Sequence, residues 1–344
     1  MRLTSLYAVK AAHPAAEPAR PTVVAVTPDA PPLPSSGASR CIFDEDWWLD
    51  AAAPGGWDRA RVEWDGEVVG DMAYAVHRRR LFTYIAMPHL TRTMSPRLAP
   101  PPDKPARERV HRLAIMEELL RQLPRHDRFE RALDVGCPSV QGFIHAGFPV
   151  THAVTLRTPA GVSPQDMLAS AHRKTRQAIV RGGRECSVQH SGDLDRFIRF
   201  HRRAYGGETS VDYTALARIF EAARSRRVAE IIFLEAAGED IAALILVWDS
   251  RMAYTWVIAR DEKRNATGAF NLLMYEAALA AWRLDRILDV DGYVRPAVGA
   301  FLTKFGFDVE MRPFVNGSSP LWRCYHLATT LIRSDRYDRS FRIG

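Results

Sequence analysis

Residues 289–309 read DVDGYVRPAVGAFLTKFGFDV, and a shorter version, DVGCPSVQGFIHAGFPV, occupies residues 134–150. Both follow a leucine, Leu133 or Leu288, so each opens on Leu-Asp-Val. Each carries Pro-x-Val-x-x-Phe, at Pro138, Val140 and Phe143 and again at Pro296, Val298 and Phe301. Each closes on Gly-Phe-x-Val, at Gly147 to Val150 and at Gly306 to Val309. Matched positions in one order read as a duplicated unit. The later copy has an insertion before its proline, so Asp291, Gly292, Tyr293 and Arg295 stand in a segment with no counterpart in the earlier one.

Outward from the two copies, the elements that lead into them are also written twice. Ahead of the first copy, Asp65-Gly66 between apolar-rich runs predicts a strand hairpin. A proline-bounded loop follows, then an amphipathic helix, ARERVHRLAIMEELLRQL, with Val110, Leu113, Met116 and Leu120 on its inner side. Ahead of the second copy, AEIIFLEA, IAALILVWD and MAYTWVIA read as strands, AFNLLMYEAALAAW as an apolar helix and RILDV as a further strand. Between the halves, SPQDMLASAHRKTRQAIVRGG predicts one basic helix, capped by Ser163, entered through Pro164 and ended by Gly182-Gly183. Its polar side carries Arg173, Lys174, Arg176 and Arg181, candidate phosphate-binding groups. The division that follows is a flexible, proline-rich tail over 1–40, an N-terminal domain over 41–158, a basic linking helix over 159–185 and a C-terminal domain over 186–335.

A chain of 344 residues can bury two cores of ordinary size. With 47 Lys and Arg against 40 Asp and Glu, the net charge of +7 favours an anionic partner: a phosphorylated cofactor, a nucleic acid or a membrane surface. Cys41, Cys137, Cys186 and Cys324 have no CxxC spacing, so neither zinc nor a disulfide framework is expected, and a reducing cytoplasm fits best. No apolar run approaches the roughly 20 residues that cross a bilayer, so no membrane span is expected.

The doubled order of strands, helix, strand, short helix, Gly-Phe and strand resembles the GNAT acyltransferase superfamily, whose closing Leu-Tyr-x-x-x-Gly-Phe is similar to FLTKFGF at Phe301 to Phe307. Two copies with a basic helix between them resemble its FemAB-like branch, including relatives associated with cellulose and capsule biosynthesis. The resemblance implies an α/β fold of two tandem GNAT-like mixed-sheet domains around an interdomain cleft. It also implies acyl transfer to an amine by direct attack, from an acyl-CoA such as acetyl-CoA or from an aminoacyl-tRNA, without a metal. The acyl group is expected where MAYTWVIA and RILDV splay apart, which brings in Trp256 and Val257, with Tyr254 lining the cleft.

Two departures from the family pattern matter. The pyrophosphate loop aligns on Asn265, Gly268 and Phe270, and a phenyl ring in the last place would crowd a phosphate held by backbone amides. The family's catalytic tyrosine, or the lysine of many FemAB-like proteins, falls on Leu302, which can do neither job. Lys304, two residues on, is the remaining candidate for that catalytic role, although on a helix it lies about 200° around the axis and only a loop there would bring it back.

The inserted segment supplies other candidates. Asp291 suits the base or the anchor of the incoming amine, Tyr293 a proton donor, Arg295 the neutralisation of a substrate carboxylate or phosphate, and Gly292 a sharp turn. His89 and Arg92, in the loop after the first strands, are within reach of a cleft. Three readings follow: a transferase moving an acyl group from a thioester to an amine on a sugar, amino acid or peptide; an aminoacyl-tRNA-dependent transferase; and a non-catalytic polyanion-binding scaffold.

Overall fold

Asp65 and Gly66 both take positive φ, 52° and 81°. That two-residue turn matches the twist of paired strands and joins β1 (Trp57–Trp64) to β2 (Glu67–Arg79) as the sequence predicts. The computed structural model containing it describes residues 40–99, 105–206, 209–262, 268–292 and 296–332. A short helix, α1 (Asp46–Ala52), precedes the hairpin. Next come β3 (Phe82–Ala86), the two-residue β4 (Arg97–Leu98), α2 (Pro105–Arg121), β5 (Arg128–Ala132), α3 (Val140–His145) and β6 (Val150–Arg157). Then α4 (Pro164–Ser170) and α5 (Arg173–Glu185) lead to β7 (Ser187–Ser191), α6 (Leu194–Tyr205), α7 (Tyr213–Ser225), β8 (Ala229–Ala236), β9 (Glu239–Trp248) and β10 (Met252–Arg260). The chain continues through α8 (Ala269–Arg283), β11 (Ile287–Asp289), α9 (Pro296–Leu302), β12 (Asp308–Ser318) and α10 (Pro320–Ile332).

The duplication is visible in space. In the earlier half β3 pairs in parallel with β5 across α2, and in the later half β10 pairs in parallel with β11 across α8. The strands of the described residues join one mixed sheet in the order β1-β2-β3-β5-β12-β6-β11-β10-β9-β8-β7, with β4 on β2. The closing strands are exchanged. β12, from the later half, lies between β5 and β6, while β6, from the earlier half, lies between β12 and β11. The sequence division places β12 in the later domain, yet its longest pairing is with β6, from Asp308↔Arg157 to Val315↔Val150.

Alternation along the strands sends side chains to two faces. On β8, Ile232 and Leu234 join Leu244, Leu273, Ala277 and Leu288 under α8, while Ile231 and Phe233 join Trp48, Phe197, Phe220 and Ile245 under α1, α6 and α7. A third cluster packs Ile115, Met116, Leu119, Phe129 and Phe143 beneath α2 and α3. Of the predicted inner side of α2, Met116 is buried and Leu120 packs against this cluster, but Val110 is exposed, and Ile115 and Leu119 complete the buried side. Gly70 on β2 makes room for this packing, because a β-carbon there would collide with the Ile115 side chain.

The linking helix also differs from expectation. Ser163 caps α4 by accepting from the Asp166 N–H, and Pro164 opens it as predicted, but Ala171 and His172 are extended and break the helix in two. Gly182 and Gly183 lie inside α5, which ends at Glu185. Gly182 is there for contact: a β-carbon would stand 2.8 Å from the Gly268 carbonyl oxygen at the start of α8.

A buried ionic group fastens α1 to the hairpin. Arg59 donates to Asp71 Oδ1 at 3.0 Å and Asp46 Oδ1 at 2.6 Å, with Asp44 Oδ2 at 3.5 Å. Burial pushes the Asp44 carboxyl up to about 6, with Arg59 opposing it and Asp71 adding to it. A raised folded-state value contributes stability fully present below the ordinary 3.8 and lost as pH rises through about 6. Asp44→Asn should therefore flatten the fall in denaturation midpoint across that window; an unchanged pH profile would contradict this.

Candidate functional site

The parallel pairing of β10 with β11 is brief, from Met252↔Ile287 to Tyr254↔Asp289. Past that point β10 runs on to Arg260, whereas the chain after β11 turns to β6: the Val290 N–H donates to the Leu156 carbonyl, and the Leu156 N–H to the Asp291 carbonyl. On the other edge of β10 a register shift between Thr255 and Val257 puts a bulge at Trp256, which takes that residue out of the ladder. A fork results, and the buried Thr255 hydroxyl beside it has no hydrogen-bond partner among the described residues.

Arg92, on the segment between β3 and β4, crosses the fork. Its Nη2 donates to the Thr255 carbonyl at 2.6 Å, and its Nη1 to the Asp289 carbonyl and Oδ1 at 3.3 Å each. Buried Asp289 also accepts from Thr155 Oγ1 at 2.8 Å, Arg157 Nε at 3.0 Å and the Asp291 N–H at 2.9 Å. Asp291 takes φ of +63° and accepts from Arg312 Nη2 at 2.5 Å, with Arg92 Nε at 3.9 Å. Burial works to raise its carboxyl, but the Arg92 and Arg312 guanidiniums outweigh burial and hold it below the ordinary carboxylate range. Asp134, the counterpart of Asp289 in the earlier copy, accepts from Thr93 Oγ1 at 2.5 Å. Neighbouring residues of one loop thus grip the same aspartate of both copies.

The other predicted residues are spread around this fork. Asp291 and Arg92 are in it, and Gly292 follows with its α-carbon so close to the Val154 carbonyl oxygen that a β-carbon has no room. The glycine is required by close approach, and Asp291 itself takes the turning conformation. Tyr293, Arg295 and Asn265 lie outside the described residues. Trp256 is half-buried, donates from Nε1 to the Leu90 carbonyl at 2.8 Å and packs edge-on against Trp48; Val257 is buried. Tyr254, expected on the cleft wall, is instead 4% exposed, with its ring on Phe43 and its hydroxyl 3.3 Å from both Asp249 Oδ2 and Cys41 Sγ. It belongs to the packed interior.

Gly268 is the N-cap of α8 at φ 110°, and a β-carbon there would meet the Ala178 carbonyl oxygen of α5. Phe270 turns onto Phe301, ring centroids 5.0 Å apart, with the Arg260 guanidinium 5.2 Å from its centroid. On α5, Arg173, Lys174 and Arg181 are exposed, but Arg176 folds back to donate to the Ala169 and Ala171 carbonyls that end α4. Leu302 is 3% exposed, part of the core. α9 stops there, so Lys304 sits on the following turn and not on a helix; its side chain is exposed and its carbonyl accepts from the His172 N–H. His89 Nε2 accepts from the Asp212 N–H at 3.1 Å.

Sequence reasoning did not find Thr155, Arg157 and Arg312, and it named no functional role for Asp289. The missing signal is partnership across the exchanged strands: Arg157 ends β6 and Arg312 lies on β12, and their pairing brings one to Asp289 at the end of β11 and the other to Asp291 just beyond it. Among the described residues there is no group of three or more His, Cys, Asp or Glu side chains arranged to hold a metal.

Residues 166–291 match the family described as an acetyltransferase (GNAT) domain. No curated protein matches the chain. Among solved structures, FemX is 13% identical with a TM-score of 0.63, over 83% of this chain and 94% of that one. The C-terminal domain of a putative lysylphosphatidylglycerol synthetase from Agrobacterium fabrum is 11% identical with a TM-score of 0.54, over 85% of this chain and 93% of that one. L-PGS from Bacillus licheniformis gives 9% and 0.51, over 84% and 92%. At these identities the likeness is one of fold. With the duplicated order of elements and the parallel pair that opens into a fork, residues 166–291 match the acetyltransferase (GNAT) domain family and the chain shares the doubled fold of FemX.

Proposed function

We propose that the protein transfers an acyl group from an activated carboxyl to an amine, with the fork between β10 and β11 receiving the acyl group and the amine entering from the side of Asp291. The observation that carries this reading is the fork itself: β10 and β11 pair only from Met252↔Ile287 to Tyr254↔Asp289 and then part, with the buried Thr255 hydroxyl, which has no hydrogen-bond partner among the described residues, one position beyond the last pair. In such a reaction the neutral amine attacks the carbonyl carbon, a C–N bond forms, the bond to the leaving sulfur or oxygen breaks, and the leaving atom takes up a proton. Placing the reactants in line can supply roughly 7 to 11 kcal/mol of the barrier.

Asp291 fits the role of anchor better than that of base. A carboxylate held ionised by two arginines is weakly basic, yet it keeps a lone pair for an ammonium or amine N–H. Asp291→Asn should raise the acceptor KM by about tenfold or more while changing kcat less. Full activity with an unchanged KM would remove Asp291 from the site. Tyr293 is the candidate acid for the leaving group, and Lys304 is assigned no step.

Two donors are consistent with the chemistry. An acyl-CoA would place its pyrophosphate at the start of α8. An aminoacyl ester of tRNA is the second reading, and one observation favours it: the start of α8 is pressed against the backbone of α5 at Ala178 and Gly182, which narrows the space for a phosphate on its amides. The names FemX and lysylphosphatidylglycerol synthetase fit this second reading. Thermal shift with acyl-CoA against aminoacyl-tRNA separates them, since a ligand at 100 times its Kd stabilises by about 2.7 kcal/mol. Binding without turnover for every donor would return the scaffold reading.

A further inference from the structure

The tip of the β2–β3 hairpin reads His77-Arg78-Arg79-Arg80-Leu81, all exposed, with Leu81 at 93%. It does not stand alone. Arg80 Nη1 donates to the Tyr325 hydroxyl of α10 at 2.7 Å, and the Phe82 and Tyr325 rings lie 4.9 Å apart. Through Trp322 and Tyr325, α10 faces the sheet: Trp322 Nε1 donates to the Tyr84 hydroxyl, and the Arg128 guanidinium lies over its ring. The side of α10 turned away carries Leu321 (67% exposed), Cys324, Leu327 (62% exposed) and Ala328, which share a face at helical spacing. An apolar helix face and an arginine-rich loop tip ending in a bare leucine are therefore held side by side.

We propose that this surface docks on an anionic lipid bilayer. Arginines beside exposed leucines are what a bilayer with acidic headgroups receives at once: the headgroups take the charge and the acyl boundary takes the leucines. A second copy of the chain is a poorer occupant, because a two-fold contact brings the same patch against itself, three arginines toward three arginines. Nucleic acid would answer the arginines and leave Leu81, Leu321 and Leu327 in water.

The test is cosedimentation of the full chain with vesicles of equimolar phosphatidylglycerol and phosphatidylcholine, against phosphatidylcholine alone. The chain should pellet with the first and not the second. Arg78→Glu with Arg79→Glu should weaken partitioning by on the order of a hundredfold or more, and Leu81→Glu with Leu327→Glu should abolish it; melting curves check that these exposed substitutions leave the fold intact. Three outcomes would overturn the proposal: no pelleting with anionic vesicles; pelleting that ignores both leucine substitutions; or a dimer in vesicle-free buffer that Leu327→Glu dissociates, which would make a second copy the occupant.

Discussion

Replacing Arg92 by methionine should cost about 3 to 5 kcal/mol of stability, the usual penalty for removing one member of a buried ion pair, and should lower acyl transfer by about a hundredfold or more. The stability loss follows from what is left behind. Asp289 keeps Thr155 and Arg157, but the carbonyls of Thr255 and Asp289 lose the Arg92 donor, and Asp291 is left with Arg312 as its one guanidinium, beside the Gly292 N–H. The loss of turnover follows because Arg92 sets the gap between β10 and β11, and small misplacements of reacting groups are expensive. Arg92→Lys is the informative companion. A lysine keeps the charge but cannot reach both strands with a planar fork, so it should recover part of the stability and little of the rate. Denaturant melts and single-turnover rates on both variants check this; wild-type rates in Arg92→Met would mean that the fork is not where chemistry occurs.

Gly292→Ala should be nearly as damaging, at about 3 kcal/mol or more. The colliding group is the main-chain oxygen of Val154 on β6, inside the ladder that joins β6 to β12, so it cannot rotate aside as a side chain would. The clash must be relieved by moving Asp291 and its contacts with Arg312 and Arg92. Stability and transfer should therefore fall together. A soluble Gly292→Ala variant with wild-type denaturation would show that the approach of the two backbones is looser than described.

Much of this fold was legible in the chain. The paired Leu-Asp-Val, Pro-x-Val-x-x-Phe and Gly-Phe-x-Val segments marked the duplication, and Asp65-Gly66 marked the first hairpin, because turns and short repeats are local. The Ala171-His172 break was hidden because no proline or glycine announces it, and Gly182-Gly183 misled because glycine serves close packing as well as helix ends. Of the site, the inserted Asp291 and Gly292 were found from the repeat. Arg92 was named only as within reach of a cleft, and Arg157 and Arg312 were not found, since the three come from distant segments and strand periodicity says nothing of which strands become neighbours. Tyr254 shows the converse: an aromatic on the right strand, but 4% exposed against Phe43.

The exchange of β6 and β12 bears on how the polypeptide is made. A nascent chain that has emerged only as far as the linking helices lacks the strand that must sit between β5 and β6, so its first half waits on the ribosome with an open gap until Ser318 is synthesised. Contacts of such long sequence separation form slowly. Separately expressed fragments cut near residue 160 should each be insoluble and regain a folded sheet only when refolded together.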